Sequence, residues 1–69
     1  MFRFSRQKIL PEFLKMRMTV AQLARKAGVS QQTAQKAVNG EAVSAVIIGK
    51  IAEALNVDAM TFLEPPAQM

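Results

Sequence analysis

Side chains able to do covalent or acid–base chemistry are few in this 69-residue chain, and they are scattered. His, Cys, Tyr and Trp are absent, so the common pairings of a nucleophile with a base cannot be assembled. The acids Glu12, Glu41, Glu53, Asp58 and Glu64 show neither the spacing of a carboxylate pair nor that of a metal-ligand set. The usual zinc ligands and any disulfide are missing for the same reason. No enzyme, metal site or cofactor is expected. Charge offers more. Residues 1–36 hold eight bases (Arg3, Arg6, Lys8, Lys15, Arg17, Arg25, Lys26 and Lys36) against Glu12, a balance of +7. Residues 37–69 hold Lys50 against the other four acids, a balance of −3. A basic half beside an acidic half suits a face that meets a polyanion; the plainer alternative is a solvated charged surface.

The elements that must carry these charges are short and helical. A chain of 69 residues makes one domain. A core that small is thin unless disulfides, metal or oligomerisation help it, and here only the last is open. Ser5 caps a first helix, with Phe4 and Ile9 placed as a hydrophobic staple. Ile9, Phe13 and Met16 follow the helical repeat, with Leu10 and Leu14 beside them. Pro11 either sits inside that helix or starts it, as the first helical residue after Leu10. Thr19 and Gln22 form a capping box for a second helix, which buries Leu23, Ala24 and Ala27 and stops at Gly28. Ser30 caps a third, with Ala34, Ala37 and Val38 inward and Gln31, Gln32, Gln35 and Lys36 outward; Asn39-Gly40 ends it. Ser44 caps a fourth, with Ile48, Ile51, Ala52 and Leu55 as its core stripe and Asn56 at its end. Asp58 caps a last short helix carrying Met60, Phe62 and Leu63. Residues 1–64 are expected to form the domain and residues 65–69 a tail. With no strand pattern, the expected class is an all-α bundle.

The stretch Thr19 to Gly40, TVAQLARKAGVSQQTAQKAVNG, has the form of a helix-turn-helix: two short helices joined by a tight turn containing Gly. Ala24 is small enough for the second helix to cross close by. Gly28 supplies the positive φ of the turn, Val29 plugs the space between the helices, and Ser30 caps the second one.

The spacing of Leu23, Ala24, Gly28, Val29, Ala34 and Ala37 resembles the Cro/repressor (XRE) helix-turn-helix regulators of lambdoid phages and mobile elements. The resemblance runs from about Ile9 to Leu63, and IGKIAEALNVD (Ile48 to Asp58) is similar to the family's fourth helix. It implies a compact five-helix, lambda repressor-like bundle around a central helix-turn-helix. It also implies a repressor that binds double-stranded DNA as a homodimer on a short inverted repeat. Carried over by position, Gln31, Gln32 and Gln35 or Lys36 face the major groove. A glutamine amide holds a donor and an acceptor on one plane, which matches N6 and N7 of adenine. Ser30 and Thr33, at the start of the same helix, are counted with them as DNA-binding residues. Thr19, Asn39, Gly40 and Ser44 fall where the family binds phosphates; Arg17 and Lys15, just before the motif, are further phosphate candidates, with a solvated helix end as the plainer alternative. Subunit pairing falls on Asn56, Val57, Met60 and Phe62.

The sequence departs from the family pattern in three places. Val20 replaces a frequent Gln, Glu41 and Ala42 occupy a loop that is often basic, and Ala34 and Ala37 are smaller than usual. Val43, Val46 and Ile47 widen the apolar face of the fourth helix beyond one side, and Gly49 within it hints at close approach by another element. That face supports a second reading, a protein-binding module such as an antitoxin or anti-regulator gripping a protein partner. Repression by blocking polymerase is the expected mode, since these residues leave no room for a sensor or activation domain. Met1-Phe2-Arg3-Phe4 is no secretory leader, and the apolar run Ala45 to Gly49 is too short for a bilayer, so a cytoplasmic protein with no membrane contact is expected.

Overall fold

Each helix but the first begins where a side-chain oxygen meets its first amides. The computed structural model describes residues 1–64, so the expected tail lies outside the described residues. Five helices follow in order: α1 (Arg6–Lys15), α2 (Val20–Ala27), α3 (Gln31–Val38), α4 (Ala45–Leu55) and α5 (Ala59–Phe62). The capping box of α2 is complete: the Thr19 hydroxyl accepts from the Gln22 amide at 3.1 Å, and the Gln22 side chain accepts from the Thr19 amide at 2.8 Å. Ser30 accepts from the Thr33 amide at 3.1 Å, Ser44 from Ile47 at 3.3 Å and Asp58 from Met60 at 3.0 Å. Such caps contribute about 1 kcal/mol each, a large share of a small domain's stability. Ser5 holds the cap position of α1 but makes no side-chain cap hydrogen bond.

Pro11 lies inside α1, so the reading in which it starts that helix is corrected. The ring leaves the carbonyl of Gln7 without its usual amide partner, and because Gln7 is exposed, water can take that place. The inward face of α1 is also narrower than its apolar residues suggested. Ile9 and Phe13 are buried, whereas Leu14 is 62% and Met16 38% exposed. Met16 is already the C-cap, and the chain turns away at Arg17 (φ +55°), so the end of the helix stays partly open among the described residues.

Ile9 and Phe13 join Leu23, Ala24, Ala34, Ala37, Val38, Ile48, Ile51, Ala52 and Leu55 in one core. Helix α2 packs on both α3 and α4, so the core lies behind the helix-turn-helix and braces it. Phe4 is also fully buried there, which makes it a core residue as well as a staple.

Residues 2–5 form an extended arm between the α3–α4 loop and the end of α5. The Phe2 and Val43 amides donate to each other's carbonyls at 2.8 and 2.7 Å. The Ser5 amide donates to the Phe62 carbonyl at 2.8 Å, and the Glu64 amide to the Arg3 carbonyl at 2.9 Å. These isolated bridges make no strand, and the described residues remain all-helical. They do account for Val43, which is buried under the arm. Ile47 is partly buried against the core, and only Val46, 65% exposed, stays open.

Gly49 is not a point of close approach: no neighbouring atom stands within 4 Å of a Cβ built there. Its cost is therefore only that of a glycine inside an exposed stretch of helix. Gly49→Ala is expected to raise stability by about 0.5–1 kcal/mol, read as a higher urea midpoint with an unchanged slope. A lower midpoint would show that α4 needs the glycine.

Candidate nucleic-acid interface

The small core side chains of α3 decide how its outer face is presented. Ala34 and Ala37 are fully buried, so α3 packs on α2 and α4 through a face of small side chains and turns its polar face outward. Gly28, at φ +74°, closes α2 with its amide donating to the carbonyls of Ala24 and Arg25. The Val29 amide reaches the Ala24 carbonyl at 3.0 Å, and Ser30 then starts α3. A non-glycine residue at that φ is strained by roughly 1–2 kcal/mol, so the sharp turn depends on Gly28.

Gln31, Gln32, Gln35 and Lys36 stand exposed on one side of α3. Positions i, i+1, i+4 and i+5 share a helical face, and no carboxylate shares it with them. The Gln35 side-chain amide donates to the Asn39 side chain at 3.3 Å, which orients both groups along the outer edge of the helix. Ser30 and Thr33 face each other: the Ser30 hydroxyl donates to the Thr33 hydroxyl at 2.8 Å while also capping the helix. Their first role is thus to hold the start of α3. Thr19 and Ser44 are likewise engaged as caps, of α2 and α4, and their hydroxyl oxygens are directed at backbone amides. Asn39 is exposed and Gly40 half-buried, at φ +79°, and the Glu41 amide closes the helix end on the Lys36 carbonyl at 2.9 Å. Arg17 is exposed in the α1–α2 turn.

Two sets of residues are thus separated. Gln31 to Ser44 cluster on α3 and its flanking turns, while Asn56, Val57, Met60 and Phe62 lie on the α4–α5 end. Asn56, in the left-handed region at φ +58°, is exposed; Met60 is 78% exposed; Val57 and Phe62 are half-buried against the core. Phe62 belongs partly to the core, and its carbonyl is taken by the arm. Among the described residues no cluster of His, Cys, Asp or Glu could hold a metal, and no helix is long and apolar enough to cross a membrane.

A helix-turn-helix family model matches residues 12–62, well over half of the chain, and spans all of α2 to α5. The chain belongs to the XRE/Cro-type helix-turn-helix family. No curated protein and no solved structure matches it in sequence or fold comparison. The family is one of DNA-binding transcription regulators and not of enzymes, so this helix-turn-helix regulator binds double-stranded DNA through the all-α, lambda repressor-like domain described above. The matched residues begin inside α1, and the arm lies outside them. The arm's part in the structure is not legible in the sequence. Its only signal is the alternation Phe2, Arg3, Phe4, Ser5, a two-residue period too short to stand out from a loop.

Proposed function

We propose that this regulator is a repressor that reads a short inverted repeat as a homodimer, with Gln31, Gln32 and Gln35 or Lys36 of α3 in the major groove. The observation that carries this reading is the exposed α3 face, on which planar amides and one ammonium stand free of any carboxylate. Glutamine amides pair with adenine N6 and N7, and the packing of α3 on α2 and α4 presents them on one exposed face. Ser30 and Thr33 order the start of the helix, and Arg17, Thr19, Asn39, Gly40 and Ser44 flank it as phosphate contacts. Occupying the operator excludes polymerase and needs no further activity.

Selection of duplexes from a random pool tests the reading. Enrichment of a two-fold symmetric sequence, bound with an affinity that falls steeply as salt rises, is the expected result. No enrichment of any sequence would overturn base reading, and a flat salt response would remove DNA contact at phosphates.

The pairing surface is the α4–α5 end, where Met60 projects beside exposed Asn56 and half-buried Val57. Two recognition helices must stand about 34 Å apart to enter successive major grooves on one face of DNA. A patch this small suits pairing completed on the operator. Light scattering should give two chains per palindrome, with cooperativity lost in Val57→Glu. Met60→Glu separates pairing from folding, because Met60 contributes almost nothing to the core. Cooperative binding by both variants would refute the surface.

A second reading has one observation in its favour. Val46 is an open apolar side chain on α4, as a module that grips a partner protein would have. Val46→Lys leaves DNA binding intact under the leading reading.

A further inference from the structure

We infer that Arg6, together with Arg3 on the arm, is a phosphate contact of the DNA interface and supplies the positive charge that the α3–α4 loop lacks. The inference rests on the DNA-binding reading. The loop that leaves the recognition helix, Asn39 to Val43, holds Glu41 and no base, although it adjoins the face assigned to the polyanion. The structure brings the start of α1 to that loop. A Cβ at Gly40 would stand 3.1 Å from the Cβ of Arg6 and 3.3 Å from the Phe4 carbonyl oxygen. A side chain at Gly40 would be strained at φ +79° and would press on Arg6 and Phe4, so the glycine leaves room for the base of the Arg6 side chain against the residue following Asn39. The paired amides and carbonyls of Phe2 and Val43 hold the arm along the same loop.

The cations of this region divide by what they already touch. Lys8 donates its ammonium to the Thr61 carbonyl at 3.4 Å, toward α5, and Lys15 pairs with Glu12 at 3.4 Å. Arg3 and Arg6 are exposed, and among the described residues neither side chain has a hydrogen bond or an ion pair. Arg3 lies between Phe2 and Phe4 on extended backbone, so the burial of Phe4 turns Arg3 outward. A guanidinium on a long stem, planar and permanently charged, suits a phosphate oxygen better than any group the loop itself offers.

Binding of the intact chain to sheared random-sequence duplex DNA, titrated with salt, tests the inference. Each of Arg6→Ala and Arg3→Ala is expected to reduce the slope of log affinity against log salt by about 0.9 in magnitude, equally on all sequences. Lys8→Ala, which removes the same charge from a group already directed at α5, is expected to change the slope far less. Arg6→Gln keeps the stem over the loop and serves should the alanine variant lose its helical circular dichroism; it is expected to show the same reduced slope. An unchanged slope in the arginine variants, with wild-type binding intact, overturns the inference and leaves the DNA reading standing. A Lys8→Ala effect as large as that of Arg6→Ala overturns it too, since net charge alone would then explain both. Wild-type protein that binds no duplex at all overturns both readings together.

Discussion

Phe4→Ala is expected to leave the domain largely unfolded at 37 °C. The ring is fully buried in the core, and truncating a buried Phe costs about 3–5 kcal/mol. One core in a chain of this length supplies roughly that much in all, and with no cysteine there is no disulfide to add to it. The effect spreads because Phe4 anchors the arm. Without the ring, the hydrogen bonds from residues 2–5 to Val43, Phe62 and Glu64 lose their support, and Val43 loses its cover. Urea unfolding followed by circular dichroism measures this. A midpoint close to wild type would mean that the arm is a loose addition to a domain stable without it. Phe2→Ala provides the comparison: the ring is half exposed, so its removal is expected to cost well under half as much.

The second large effect concerns recognition. Gln31→Ala and Gln32→Ala are each expected to lose about 1–3 kcal/mol on the selected operator, roughly five- to 150-fold in affinity, with non-specific binding little changed. Both side chains are exposed and neither takes part in a cap, so the fold should not respond. Gln35→Ala is different, because that amide also holds Asn39 at 3.3 Å, and its loss frees a second side chain at the interface. Comparing operator and random duplex at one salt concentration separates the two kinds of contact. If the double variant Gln31→Ala, Gln32→Ala still prefers the operator as wild type does, base reading lies elsewhere on the molecule.

Much of this protein is local and was therefore open to inspection in its sequence. Thr19 with Gln22, Ser30, Ser44 and Asp58 act within three residues of themselves, so helix starts could be assigned without any tertiary knowledge. Gly28 and Asn56 end helices through their own backbone preferences, and the inward stripes of α2, α3 and α4 follow from the helical repeat alone. The family, too, is carried by such short-range spacing.

What escaped depends on which element lies over which. Leu14 and Met16 follow the same helical repeat as the buried residues of α1, yet they stay 62% and 38% exposed. Val43 reads from the sequence as a widening of the apolar face of α4, whereas in the fold it pairs with Phe2, distant in sequence, and is buried. Gly40 and Gly49 are the same residue type, but one meets the start of α1 and the other meets nothing. Burial, close approach and the placement of Arg6 are set by contacts between segments dozens of residues apart. Apolar periodicity records that a residue can be covered; only the packed chain decides what covers it.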